Sequence, residues 1–187
     1  MNKKYFYINF SIETLERYSF LIKIFNKLKV EKEIYWDSET VPNIDIIEWK
    51  QFLDDKTYNY YKNLSSSSNK EEDEVYYKLW DLTSPEIRIN HPMFNRTNDW
   101  DFESVIHTII EGEYELIDLS VKGNKGTLYF DPFSLPFGGT ESLVSLIESF
   151  GNKVFFDSWH NGEHKRQKIG WDFELAKKLV SQNTGLT

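Results

Sequence analysis

Leu143, Val144, Leu146, Ile147 and Phe150 recur at the spacing of one helical face. They lie between two short β-branched and aromatic runs, residues 128–130 and 154–156, so 126–157 reads as a strand–helix–strand unit. Pro132 and Pro136 end the first strand, and Gly138-Gly139 supplies a loop without side-chain hindrance. Thr140 can cap the helix, Glu141 sits at the positive end of its dipole, and Gly151 is a left-handed stop.

The same patterning orders the rest of the chain. Residues 5–10 alternate as a strand. Ser11 or Thr14 can cap a helix carrying Leu15, Tyr18, Leu21, Ile22, Phe25 and Leu28 on one face. Residues 33–36 read as a second strand, and 45–53 as a short helix with Ile46, Trp49, Phe52 and Leu53. The stretch SSSSNKEEDE, 65–74, holds no apolar residue and is expected to be a mobile loop. Residues 74–82 fit a helix by spacing and a strand by aromatic content. Residues 86–90 read as a short strand cut off by Pro92. Asn98 or Asp99 then caps a helix bearing Phe102, Val105, Ile106, Ile109 and Ile110, stopped by Gly112.

Two hairpins follow from turn chemistry. A Gly123-Asn124 loop pairs Lys122 with Lys125, Val121 with Gly126, Leu119 with Leu128 and Ile117 with Phe130, which gathers the apolar partners on one side. An Asn161-Gly162 loop pairs His160 with Glu163, Trp159 with His164 and Asp157 with Arg166. A terminal helix over 171–182 turns Phe173, Ala176, Leu179 and Val180 inward. The expected class is α+β: an antiparallel sheet with helices mainly on one face. From Glu86 the order is β-α-β-β-α-β, a ferredoxin-like (split β-α-β) C-terminal half, with the N-terminal β-α-β as an extension. One domain over 1–187 is expected, with a sub-division into 1–64 and 84–187 left open.

Composition narrows the chemistry. The chain has no cysteine, which excludes disulfides, thiolate catalysis and cysteine-ligated metals. No apolar run reaches the roughly 18 residues of a membrane span, and the N-terminal YFYINFSI is too short and polar for a secretory signal, so a cytoplasmic protein is expected. Net charge is −8, and its distribution matters more than its total. Residues 31–103 hold 17 acidic and 8 basic side chains, so the whole negative excess lies there. Such a field repels nucleic acid and anionic lipid and draws a basic protein partner.

HNGEH, 160–164, matches the H-x-x-E-H pattern of metallopeptidases, whose histidines must share a helical face. Asn161-Gly162 breaks any helix, and the hairpin above puts His160 and His164 on opposite strands, so a polar hairpin tip is expected and no metal site. Gly138-Gly139-Thr140 lacks the lysine of a phosphate cradle and reads as an entry turn. Asp99, Asp101 and Glu103, or Asp54 and Asp55, join no histidine, and no nucleophile–base set assembles. No catalytic residue, cofactor or metal is therefore assigned. The acidic middle instead interleaves Glu71, Glu72, Asp73 and Glu74 with Tyr76, Tyr77 and Trp80, the aromatic-anchor and charged-rim chemistry of a protein interface.

The stretch 126–151 is a strand ending in Asp131-Pro132, then Pro136-Phe137-Gly138-Gly139-Thr140 opening a helix that ends in Phe150-Gly151. It resembles a pattern of uncharacterised small acidic bacterial proteins, among them proteins of the toxin-immunity type. The resemblance carries no catalytic residue that could be transferred. It implies a non-catalytic protein-binding protein, most concretely an immunity protein that neutralises a toxin. The alternative is a small-ligand-binding protein or enzyme using the sheet face and the Gly138-Gly139 loop.

Overall fold

The computed structural model describes residues 5–40, 42–66, 70–96, 99–133, 139–166 and 168–186. Along the chain the elements run β1 (Phe6–Ser11), α1 (Leu15–Ser38), α2 (Ile46–Trp49), α3 (Asp55–Ser66), α4 (Lys70–Leu82), α5 (Pro85–Asn90), α6 (Phe102–Glu111), β2 (Tyr114–Lys122), β3 (Lys125–Pro132), α7 (Glu141–Ser149), β4 (Lys153–Asp157) and α8 (Phe173–Ser181). They form two compact units. The first takes Met1–Asn63 and Trp100–Lys165, the second Leu64–Asp99 and Arg166–Thr187.

The first unit is α+β. Its four strands pair antiparallel in the order β2-β3-β1-β4. Alternation decides which residues face inward: Ile8, Phe10, Leu128 and Phe130 are fully buried, whereas Tyr7, Tyr129 and Phe156 pack together on the opposite face, half-buried. The helices complete the core with Leu21, Ile24, Phe25 and Leu28 of α1, Val105, Ile106, Ile109 and Ile110 of α6, and Val144, Leu146 and Ile147 of α7. Thr14 caps α1 through its hydroxyl, which accepts from the Arg17 N–H at 3.2 Å, as expected. Asp101, rather than Asp99, caps α6, accepting from the Ser104 N–H at 2.8 Å; Asn98 lies outside the described residues.

Several expected elements change type. Residues 33–36 are the last turns of α1, not a strand: the buried face of α1 continues at helical spacing through Glu31 and Lys32, whose charged groups are partnered, and the helix runs on to Ser38. Residues 86–90 are helix α5, not a strand: Pro85 opens it at a position where its missing N–H costs nothing. The sheet's first strand is consequently β1, inserted between β3 and β4, so among the described residues the C-terminal strands share one sheet with the N-terminal strand.

The Gly123-Asn124 hairpin forms. Lys122 faces Lys125, Val121 faces Gly126 and Leu119 faces Leu128. A positive φ of 64° at Gly123 suits the turn. A bulge between Leu116 and Asp118 then shifts the register by one, so Phe130 faces Leu116 and not Ile117. Leu116 is buried in its place, while Ile117 and Leu119 are half-buried and Val121 is half exposed.

The second unit is helical. Leu79 of α4, Met93 and Ala176 of α8 form its core, with Val75, Phe94, Trp171, Leu179, Val180 and Leu186 packed around them. Residues 70–74, expected in a mobile loop, are the first turns of α4; Ser67, Ser68 and Asn69 lie outside the described residues.

Candidate functional site

The expected docking residues all lie on α4, but the fold spends most of their charge internally. Arg96 holds Asp73 at 2.7 Å and lies 3.9 Å from Glu72. The Trp171 indole N–H donates to Glu72 at 2.5 Å, and Lys177 pairs with Glu71 at 3.1 Å. Tyr76 packs edge-on against Phe94 and Trp171 and at a tilt against Trp80, beneath the Arg96 guanidinium. The Arg88 guanidinium lies 4.9 Å over Trp80. Of the seven residues, Glu74 is exposed, and Tyr77, 65% exposed, meets the Tyr76 ring edge-on. By sequence this second unit carries nine acidic and eight basic side chains, a net of −1, whereas the first carries 21 and 14, a net of −7. The acidic field belongs to the first unit.

There, a groove of about 530 Å³ opens between the end of α1 and β2. Its lining includes Trp36 and Phe133, which are 48% and 64% exposed, with Tyr114 and Leu116 buried at its floor. Its two lysines are turned onto backbone. Lys29 donates to the carbonyl of Ile117, the residue the bulge leaves out of the strand pairing, at 2.9 Å. Lys32, 4% exposed, donates to the carbonyls of Ile109, Ile110 and Gly112 at 2.7, 3.1 and 2.7 Å. Burial lowers the Lys32 ammonium to about 7, while these carbonyls at the negative end of α6 favour its charged form. Glu33, Asp37 and Glu115 are left as an exposed acidic rim.

The HNGEH segment corrects the sequence expectation most sharply. The turn closes four residues wide, not two: Asp157 and Gly162 exchange backbone hydrogen bonds of 2.7 and 3.2 Å, with Asn161 at a φ of 52°. His160 and His164 therefore do not oppose other residues on two strands. They fold back over Asp157, their ring centroids 4.9 Å apart. Asp157 Oδ2 lies 3.0 Å from His160 Nδ1 and 2.9 Å from His164 Nδ1. The Thr140 hydroxyl donates to the same oxygen instead of capping α7, and the Trp159 N–H donates to Oδ1 at 2.9 Å. His164 Nε2 lies 2.7 Å from Glu141 Oε2. Burial pushes the His164 imidazole down, but its bonds to Asp157 and Glu141 outweigh it and raise the group to about 9. Burial likewise pushes the Asp157 carboxyl up, and its bonds to His164, Thr140 and Trp159 hold it below its ordinary value. The motif itself is the sequence signal for this cluster; a broken helix does not separate its histidines here, because the wider turn folds both back over Asp157.

His107 lies between Glu103 and Glu111 on α6, and His91 Nδ1 accepts from the Met93 N–H, so neither joins the cluster. Gly139 has a φ of 64°, and Pro136, Phe137 and Gly138 lie outside the described residues. Among the described residues no helix is long and apolar enough to cross a membrane. No protein-family model matches the chain, and no curated protein or solved structure is significantly similar to it.

Proposed function

We propose that the protein is a non-catalytic binding protein whose partner is a basic protein, seated on the groove between α1 and β2, with neutralisation of a toxin as the most concrete form of that role. The observation that carries this reading is the pairing of two exposed aromatics, Trp36 and Phe133, with the acidic rim of Glu33, Asp37 and Glu115. An aromatic anchor inside a charged rim is the anatomy of a protein interface. Helix polarity supports a cationic partner. Glu33 and Asp37 lie in the last turns of α1, where the dipole is negative, and no basic residue stands in its last turn. A cation docked there relieves the mutual repulsion of carboxylates and helix end. The −7 charge of this unit supplies the long-range attraction that speeds encounter.

The test uses a partner captured from cells on immobilised protein and then measured in purified form. The partner should be basic, and its association should slow as salt rises. Glu33→Lys with Asp37→Lys should lower the association rate. Trp36→Ala should raise the dissociation rate, by about 30-fold if Trp36 is a hot spot of about 2 kcal/mol. A partner whose rates are unchanged in both variants, or whose association ignores salt, overturns the reading.

A further inference from the structure

The cluster at the end of β4 lies among other residues than the groove and has chemistry of its own. We propose that Asp157, His160 and His164 bind one divalent first-row transition ion of the zinc class, through Asp157 Oδ2 and one nitrogen of each imidazole. The first support is convergence. One ligand atom from each residue lies within 4.8 Å of those of the other two. A tetrahedral ion with bonds of about 2.0–2.1 Å spaces its ligands by about 3.3 Å. The contacts of 3.0 and 2.9 Å around Asp157 Oδ2 are thus within a few tenths of an ångström of what such an ion requires.

The second support lies outside the ligands. Glu141 meets His164 Nε2 at 2.7 Å, so it can hold the proton on that nitrogen and leave the Nδ1 lone pair toward Asp157. A carboxylate on the far nitrogen of a metal-binding histidine fixes its tautomer and raises its basicity. The third support is charge. Asp157 is fully buried, and with Glu141 it brings two negative charges to one spot. A buried carboxylate demands positive charge. A divalent ion held by two neutral imidazoles leaves the same net charge as two imidazolium groups, and it replaces several separate bonds to Asp157 Oδ2 by one centre. Two imidazoles and a carboxylate suit zinc, cobalt or nickel better than calcium or magnesium, which take oxygen.

Positioning precedes any ion. The Trp159 N–H orients the Asp157 carboxylate, the Asp157–Gly162 backbone pair closes the loop, and Thr140 reaches in from the start of α7. Three protein ligands leave at least one position of a tetrahedral ion to water or another ligand. Glu141 is a positioning residue in this scheme and not a ligand.

The experiment takes the full chain, stripped with chelator, and titrates it with Zn²⁺ by calorimetry and with Co²⁺ by visible absorption. The expected result is uptake of one ion per chain, a raised melting temperature at saturation, and the intense cobalt bands of a low-coordinate site with nitrogen ligands. Glu141→Gln should keep that stoichiometry and weaken binding about 10–100-fold. His160→Gln, which keeps a donor for Asp157, should weaken it more than Glu141→Gln does, with circular dichroism checking the fold. No uptake by the folded chain, uptake that survives His160→Gln unchanged, or a cobalt spectrum like that of the aqueous ion overturns the proposal. The cobalt spectrum decides on the unmodified chain, whatever the variants do. It is also indifferent to the groove variants, so the two readings fail separately.

Discussion

Arg17 shows how one side chain organises an element boundary. Its guanidinium donates to Asp54 at 3.1 Å, to the Thr57 hydroxyl at 3.1 Å and to the Ser149 carbonyl at 3.0 Å, and pairs with Glu13. It thereby ties α1 to the start of α3 and the end of α7. Burial pushes the Asp54 carboxyl up, but bonds from the Thr57 N–H and hydroxyl and from Arg17 outweigh it and hold the group below its ordinary value. A carboxyl lowered by folding stabilises the fold above its unfolded value of about 3.9, and the contribution is lost as pH falls through the folded value. Urea midpoints measured from pH 6 downward should therefore fall below about pH 4 in the unmodified chain. The Asp54→Asn variant should start lower and fall less steeply; parallel curves would remove Asp54 from the account. Gly126 acts through space alone. A Cβ there would run into the Phe10 ring directly across the β1–β3 pair, so Gly126→Ala must displace a fully buried aromatic. A cost of about 1–3 kcal/mol, as for other overpacked cores, is expected in equilibrium unfolding.

At the level of elements, the β2–β3 hairpin and α4 make opposite points. In the hairpin, side chains paired across the strands are not equally buried: Leu128 is inaccessible while Leu119 opposite is half-buried. Leu128→Ala should cost about 2–5 kcal/mol and Leu119→Ala clearly less. Equal losses in chemical denaturation would mean that the difference in burial between Leu119 and Leu128 does not govern their contributions. In α4, acidic residues that look like a docking surface are partners of Arg96, Trp171 and Lys177. Changing Glu72 and Asp73 to lysine should therefore lower the melting temperature of the second unit by setting like charges against Arg96. Unchanged melting would return these residues to the solvent.

Across the whole molecule, the two units differ in core and in charge. The first buries a sheet face with three long apolar helix faces; the second buries Leu79, Met93 and Ala176 with a partly exposed surround. A smaller core sustains less cooperative stability. In hydrogen exchange, amides of α4 and α8 should therefore lose protection at lower denaturant than those of β1 and β3. Leu79→Ala should widen that gap, and uniform loss over both units would show a single cooperative fold. Charge divides the same way, −7 against −1. The acidic excess read along the chain over 31–103 is thus divided in space, and the portion on α4 meets Arg96 and, from the C-terminal segment, Lys177.

By itself, the sequence determined the elements whose pattern repeats several times: the apolar faces of α6, α7 and α8, most of that of α1, where Leu15 is exposed and Ile24 is buried instead, the strands β1 and β4, and the Gly123-Asn124 turn. Each is decided by neighbours within a few residues, so local spacing suffices. Short segments were misread where local preference is balanced. The aromatic run at 33–36 and the alternating one at 86–90 look like strands and become helix, the first by continuing α1 and the second by starting at Pro85. The site was legible as residues and not as geometry. HNGEH is plain in the chain, but its histidines converge because Asp157, at the end of a strand, accepts from Thr140 at the start of a helix. Lys32 sits unremarkably in a charged stretch until α6 brings three carbonyls to its ammonium. Such meetings join positions 17 to 80 residues apart, and only packing, which trades chain entropy for burial over the whole unit, decides which of them occur.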